Sequence, residues 1–370
     1  MASTTGSAVD QVWSLRSAMR RLWTDHVIWT RMYITAAVAG VDDDAGPAAT
    51  RLLNNQEDIG NAVVPFYGSG AGSALTDLLK QHIMIAVDLV AAAKAGDNAK
   101  FAEEDSNWTR NAGDIASLLS GANPNWPKAD VVDLLGQHLA LTKKEAVARL
   151  QQNWDDDVEA FDQIFTEILT VADVLSDGLI KQFHDRFANE TTSQKATSLR
   201  LAMARLWSDH VIWTRQYILS AIADAPDTGK AAERLLKNQD DIGGAVGSVY
   251  GDAAGKQVTD LLKQHIMIAV DIVDAASKGD DARFKSANEK WDRNAEEIAA
   301  LLSSANPSWP KADVTDLLMQ HLNLTRKEVV ARLQKNHGDD IEAFDQILTE
   351  ILTVADVLAT GIVKQFPDKF

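Results

Sequence analysis

The chain has 370 residues, of which 46% are hydrophobic and 24% charged, a composition typical of a globular protein with two domains. Its formal net charge of −17 argues against nucleic acid or an anionic membrane surface as a partner, because acidic side chains repel phosphate groups. The chain contains no cysteine, which excludes disulfides, thiolate metal sites, iron–sulfur clusters and cysteine nucleophiles.

The amino-terminal residues and the apolar runs bear on location. The first residues, MASTTGS, lack the basic and apolar regions of a secretory signal. No uninterrupted apolar run approaches the roughly 18 residues that cross a bilayer. We therefore expect a cytoplasmic protein with no transmembrane segment. A secreted or periplasmic location is the alternative if a signal peptide has been removed.

The second half of the chain repeats the first. The run LWTDHVIWTR from Leu22 returns as LWSDHVIWTR from Leu206, and the match continues to the C-terminus, with Leu52 paired with Leu235. This tandem duplication predicts two homologous domains, residues 1–187 and 198–370, joined by a polar linker at 188–197. The linker is either flexible or an extension of the following helix.

Nearly every segment has the apolar spacing of a helix, and none shows the sustained alternation of a strand. The first repeat begins with a predicted long helix over about 10–40 and a shorter one over about 47–63. A third predicted helix ends at Gly96, the usual position of a C-terminal glycine, and Asp97 caps a fourth.

The run GANPNWP at 121–127 predicts a break before a helix over about 128–141. Thr142 and Glu145 then have the spacing of a capping box, which predicts that a new short helix starts there. A last long helix runs to about Phe183. The whole pattern predicts an all-α fold with two tandem antiparallel helical bundles, each made of four long helices plus short ones.

Six of the eight histidines occur in both repeats, and each lies on the apolar stripe of its helix. A buried imidazole loses hydration and needs either a hydrogen-bond partner or a metal ion. Three helices that each direct one histidine inward are an arrangement from which helical proteins build metal sites. The candidate ligands are His26, His82 and His138 in the first repeat and His210, His265 and His321 in the second.

Glu145 and Glu328 complete the set of candidate metal ligands. Glu145 follows His138 by seven residues, so the two share a face only if the helix is unbroken. The capping box favours a structural role for this glutamate instead. Arg31, five residues after the first histidine, is expected to form a surface ion pair.

The sequence lacks the motifs of several enzyme classes, among them Glu-x-x-His, His-Glu-x-x-His, the phosphate-binding loop and Gly-x-Ser-x-Gly. The leading hypothesis is therefore a non-catalytic binding protein with one histidine-lined site for a divalent metal or small cofactor in each bundle. The alternative is a structural protein that presents acidic helical faces to a protein partner and binds no ligand. An enzyme with a histidine–carboxylate pocket is the third hypothesis.

The chain resembles short bacterial helical proteins that share a Trp-x-Asp-His-Val-x-Trp-Thr-Arg first helix and a C-terminal Gln-Phe-Pro, here Gln365 to Pro367. The resemblance covers each repeat nearly from end to end and implies a helical bundle. It implies no activity, so no functional residue is carried over from it.

Overall fold

The structure is a computed structural model, which describes residues 11–187 and 193–370. Within these ranges the chain is helical and contains no strand, as predicted. The chain forms two compact units, Met1–Thr192 and Ser193–Phe370. Residues 188–192 of the predicted linker lie outside the described residues. The remainder of that linker is ordered, because Ser193 caps a helix that begins at Gln194.

Each unit contains six α-helices among its described residues, and we call the two sets the first and the second bundle. A short 3₁₀ helix, His184–Arg186, follows the first bundle. The first bundle comprises α1 (Gln11–Ala39), α2 (Asp42–Tyr67), α3 (Ser69–Ala95), α4 (Asn98–Ala122), α5 (Lys128–Leu150) and α6 (Trp154–Gln182). The second comprises α7 (Gln194–Ile222), α8 (Thr228–Tyr250), α9 (Asp252–Ser277), α10 (Asp281–Ala305), α11 (Lys311–Leu333) and α12 (His337–Gln365).

The predicted helix ends between α3 and α4 are confirmed. Gly96 has a φ of 68°, the left-handed conformation that glycine adopts at little cost. The Asp97 side chain accepts a hydrogen bond of 3.0 Å from the Lys100 backbone N–H.

Two details of the predicted pattern are wrong. All six helices of the first bundle are 23 to 29 residues long, so there are no short helices among them. The predicted break at Thr142 does not occur, and its hydroxyl donates to the His138 carbonyl oxygen one turn earlier instead of capping a new helix. Glu145 bonds to Arg31 rather than to a helix N-terminus. The helix α5 therefore runs unbroken from Lys128 to Leu150.

The helices of each bundle form a closed ring. Each helix packs against the next one in the chain, and α6 returns to pack against α1. The helices α1, α3 and α5 also contact one another, which places them towards the axis of the ring. In the second bundle the ring closes in the same order, from α7 through α12.

The first bundle is built from three helix hairpins with a common spacing. Its three histidines, His26, His82 and His138, are evenly spaced along the chain, and each lies on the first helix of its hairpin. A polar residue stands at the same distance after each histidine, on the second helix of the hairpin. Those residues are Asn55, Asn111 and Glu167. Equal spacing in three hairpins of one ring places the histidines at the same level along the axis.

Among the described residues, α12 alone is long and apolar enough to cross a membrane by length and composition. In its most apolar stretch, 56% of the residues are buried inside the bundle. The core helix of a bundle has the same length and composition, so this observation is weak evidence for a membrane span.

Candidate metal centre

His26, His82 and His138, the first triad, meet in the core of the first bundle. The centroid distances are 5.4 Å between His26 and His138, 6.2 Å between His26 and His82, and 6.3 Å between His82 and His138. All three side chains are buried. One ring nitrogen from each residue lies within 4.8 Å of the other two. The predicted convergence of these histidines is therefore present in the fold.

The second triad, His210, His265 and His321, has nearly the same geometry. Its ring centroids are 5.5, 6.1 and 6.3 Å apart. Its members are also buried, and their ring nitrogens meet the same 4.8 Å limit.

Asn111 holds His82 in one tautomer. Its Oδ1 lies 3.0 Å from His82 Nδ1, while its Nδ2 donates to the Leu78 carbonyl oxygen at 3.0 Å. Because the amide nitrogen of Asn111 donates to the Leu78 carbonyl oxygen, its amide oxygen faces the imidazole of His82 and accepts a hydrogen bond from Nδ1–H. The second ring nitrogen, Nε2, consequently keeps its lone pair for a ligand.

Glu167 holds His138 in the same way. A carboxylate oxygen, Oε2, lies 3.1 Å from His138 Nδ1, and both residues are buried. An ionised carboxylate accepts hydrogen bonds only, so Nδ1 carries the proton. The second bundle repeats both contacts, with His265 Nδ1 at 3.0 Å from Asn294 and His321 Nδ1 at 3.1 Å from Glu350.

His26 is held less firmly. Its buried Nδ1 has no hydrogen-bond partner among the described residues. The neighbouring Gln56 donates from Nε2 to the Leu52 carbonyl oxygen and to Asn55 Oδ1. Gln56 thus satisfies a backbone group and leaves the His26 ring without a fixed tautomer.

The equivalent contact in the second bundle is long. Gln239 Nε2 lies 3.4 Å from His210 Nδ1, while the same amide group donates to the Leu235 carbonyl oxygen at 2.8 Å. Because its bond to the backbone is the shorter one, the Gln239 amide donates mainly to the Leu235 carbonyl oxygen. His210, like His26, is therefore the most loosely held histidine of its triad.

Burial keeps two histidines of the triad, His26 and His82, neutral at pH 7. Burial, together with the neighbouring His138, lowers the pKa of His82 to about 3. Burial, followed by the effects of His138 and His82, also lowers the pKa of His26 well below its ordinary value. Metal ions bind the neutral imidazole, so these two rings are in the protonation state that coordination requires.

Glu145, one of the candidate ligands, is not brought to the triad. Its Oε1 lies 2.5 Å from Arg31 Nη1, and Asp157 accepts two further bonds from the same guanidinium at 3.2 and 2.9 Å. Glu328 is held in the same way by Arg215 in the second bundle, at 2.5 Å. Both glutamates therefore neutralise a buried arginine, and their carboxylates are occupied.

The expectation of a surface ion pair at Arg31 is also wrong, because its side chain is only 1% exposed. The guanidinium lies 4.7 Å from the centre of the Phe161 ring, between carboxylates of α5 and α6. Burial raises the pKa of Glu145 to about 7, although Arg31 acts in the opposite direction. Sequence spacing places Arg31 on a helix. It does not show that other helices bury the face of α1 that carries Arg31.

Trp126 is buried and plugs the end of its bundle. It is 1% exposed, and its Nε1 donates to the Val174 carbonyl oxygen at 3.3 Å. The indole ring lies against Gly178 on α6. Any residue other than glycine at this position would place its Cβ atom too close to the ring.

A small cavity adjoins the first triad. It has a volume of about 20 Å³ and is lined by the three histidines and by residues such as Thr30, Val87 and Thr142. A space of this size holds about one water molecule. Its lining is mostly apolar, and its polar members are the three histidines, the two threonines, Tyr33 and Lys143.

Sequence reasoning missed Asn111 and Glu167. Both interrupt apolar stripes, since Asn111 lies between Trp108 and Ile115, and Glu167 lies beside Ile168. Each follows a shared histidine by the same interval, His82 and His138 respectively. That common interval is the signal that could have identified them.

No protein-family model, curated protein or solved structure matches this chain. The geometry of the two triads therefore supplies the basis for assigning a function.

Proposed function

We propose that each bundle binds one divalent transition-metal ion through its three histidines. The observation that carries this proposal is the convergence of three buried imidazoles whose nitrogens lie within 4.8 Å of one another. Three imidazoles suit zinc, copper, nickel or iron, and the lack of cysteine removes the thiolate alternatives. The role proposed is binding, without a catalytic step.

The size of the triad supports a single shared ion. Three atoms no more than 4.8 Å apart have a common point within about 2.8 Å of each, which is 4.8 Å divided by the square root of three. Zinc–nitrogen bonds are about 2.0–2.1 Å long. Side-chain rotations that move each nitrogen inward by roughly 0.7 Å would complete the coordination.

The partners of the histidines also favour a metal. Ligating histidines usually donate their other N–H to a carboxylate or carbonyl oxygen, as His138 does to Glu167 and His82 does to Asn111. The Glu167 carboxylate brings a negative charge to one side of the site, which offsets part of the charge of a buried cation.

The experiment is elemental analysis of protein purified without a chelator or an affinity tag. We expect two metal ions per chain in the parent protein, one in His82→Gln and none in the double variant His82→Gln/His265→Gln. The matched control is His184→Gln, which changes an exposed histidine outside both triads. It should keep both ions.

A thermal-stability series separates metal binding from histidines that serve packing alone. At a metal concentration one hundred times the Kd, binding stabilises a fold by roughly 2.7 kcal/mol, which raises the melting temperature measurably. Fewer than one ion per chain, with no such rise on adding zinc, copper, nickel, iron or manganese, would contradict the proposal. The histidines would then serve the core, as in the structural alternative.

A further inference from the structure

The strongest additional feature is the composition of the cavity beside the first triad. The cluster of possible ligands contains three residues and no more among the described part of the chain. The buried glutamates of α5 and α6 are engaged elsewhere, since Glu145 bonds to Arg31 and Glu167 bonds to His138 Nδ1. Zinc and related ions take at least four ligands. A bound ion therefore lacks a fourth ligand from the protein.

Two threonines line the cavity at equivalent positions. Thr30 and Thr142 each follow a triad histidine by four residues, so they lie one turn further along the same helix face. The corresponding position in the middle hairpin is Ala86, which carries no polar group.

Both threonine hydroxyl groups already donate their hydrogen atoms to backbone carbonyl oxygens. Thr30 Oγ1 donates to the His26 carbonyl oxygen at 2.7 Å, and Thr142 Oγ1 donates to the His138 carbonyl oxygen at 2.9 Å. A hydroxyl oxygen that donates its only hydrogen retains lone pairs as acceptors. The two threonines thus offer acceptors, and no donor, to whatever occupies the cavity.

We propose that the metal ion in the first bundle keeps an open coordination position, which takes one water molecule whose two hydrogen atoms are accepted by the two threonines. This inference rests on the metal site proposed above. The cavity of about 20 Å³ fits a ligand of this size. An anion without hydrogen, such as azide, would be disfavoured beside two acceptors, but would still compete for the position.

The second bundle has the same pair of threonines. Thr214 and Thr325 donate to the carbonyl oxygens of His210 and His321 at 2.7 and 3.0 Å. Both threonines line a cavity of about 20 Å³, together with Ala269, the counterpart of Ala86, but the second triad's histidines are not part of that lining. The threonine pair is therefore repeated, while the cavity that reaches the imidazoles is a feature of the first bundle.

The test uses cobalt(II) as the probe metal and a parent protein that carries His265→Gln, so that only the first site is loaded. Cobalt(II) in a four-coordinate site absorbs visible light more strongly than in a six-coordinate one, and exchange of a ligand changes that spectrum. Azide is titrated into the loaded parent, into Thr30→Val/Thr142→Val and into the matched control Thr30→Ser/Thr142→Ser, which keeps both hydroxyl groups.

We expect azide to change the spectrum of the parent. The valine variant should bind azide about 4- to 100-fold more tightly than the parent, because the competing water loses two acceptors and each hydrogen bond is worth roughly a two- to tenfold factor. The serine variant should behave as the parent does.

The outcomes are distinguishable. Cobalt that loads but does not respond to azide would overturn the open position while leaving the metal site in place. Equal azide affinity in the valine and serine variants would overturn the role of the threonines. Failure of cobalt to load would overturn the metal site itself. If the valine variant does not fold, the azide titration of the parent alone still decides whether the position is open.

Discussion

Asn111 Oδ1 lies 3.0 Å from His82 Nδ1, and the same side chain donates from Nδ2 to the carbonyl oxygen of Leu78, one turn before that histidine. One residue of α4 is thus bound both to the histidine and to the backbone of the helix that carries it. The ring of His82 is fixed in position and in tautomer before any ligand binds. Organisation of this kind lowers the cost of coordination.

Replacing Asn111 by Leu should weaken metal binding in the first bundle without removing a ligand. Loss of a partner of this kind typically lowers metal affinity about 10- to 100-fold. Competition with a chromophoric chelator measures the affinity of both sites in the same chain. The second site, with Asn294 intact, serves as the internal control and should keep its affinity. Equal affinities for the two sites would contradict a positioning role.

Replacing Arg31 by Met should destabilise the fold but leave metal binding intact. The change leaves the buried Glu145 without its hydrogen-bonded partner, at a cost of about 3–5 kcal/mol, while Asp157 keeps its bond of 2.7 Å from Arg149. Arg16→Met removes an ion pair with Asp177 that is partly open to water, and should cost no more than about 1 kcal/mol.

Urea denaturation measures the free energy of unfolding of both arginine variants, and elemental analysis measures their metal content. Folded Arg31→Met protein should contain as much metal as the parent. If it loses the ion from the first bundle, Glu145 belongs to the metal site after all.

The metal-free protein should lose stability as the pH falls below about 6.5. The pKa of His82 is near 3 in the folded state and 6.5 in the unfolded chain, so between these values the unfolded chain binds a proton that the folded chain does not. The contribution of His82 is complete above pH 6.5 and is lost as the pH falls towards 3, by about 1.4 kcal/mol per pH unit. His265 contributes in the same direction.

Urea denaturation of chelator-treated protein at about pH 7.5 and pH 5.5 measures this dependence. The variant His82→Gln/His265→Gln should show a smaller difference between the two pH values than the parent does. An unchanged difference would mean that other groups cause the loss of stability.

Replacing Gly178 by Ala should destabilise the first bundle. An added Cβ would lie 1.9 Å from Trp126 Nε1, so the indole or the α6 backbone must shift, at a cost of about 1–3 kcal/mol. Gly113→Ala is the matched control, because that helical glycine faces open space and alanine favours the helix by about 1 kcal/mol. Thermal denaturation should therefore shift in opposite directions for the two variants.

Much of the architecture follows from the sequence. The apolar stripes predict helices, and Gly96 and Asp97 mark a helix end and a helix start because their backbone and capping chemistry is local. The three histidines lie on those stripes, so their burial follows from the same pattern. The even spacing of His26, His82 and His138 is also present in the sequence. The structure shows its consequence: because the three hairpins belong to one ring, equal spacing places the three histidines at the same level.

The helical class, the two repeats and the inward direction of the histidines can be read from the chain, because they depend on periodicity along it. The partners of the buried polar groups become known only from the folded arrangement of the helices. Glu145 and Arg31 are far apart in the sequence, yet their pairing keeps that glutamate away from the triad and accompanies an unbroken α5 where local spacing predicts a break. A capping box is a local signal worth about 1 kcal/mol, whereas leaving a buried charge without its partner costs several. The larger free energy therefore comes from contacts between residues that are far apart in the sequence, and no local sequence pattern predicts those contacts.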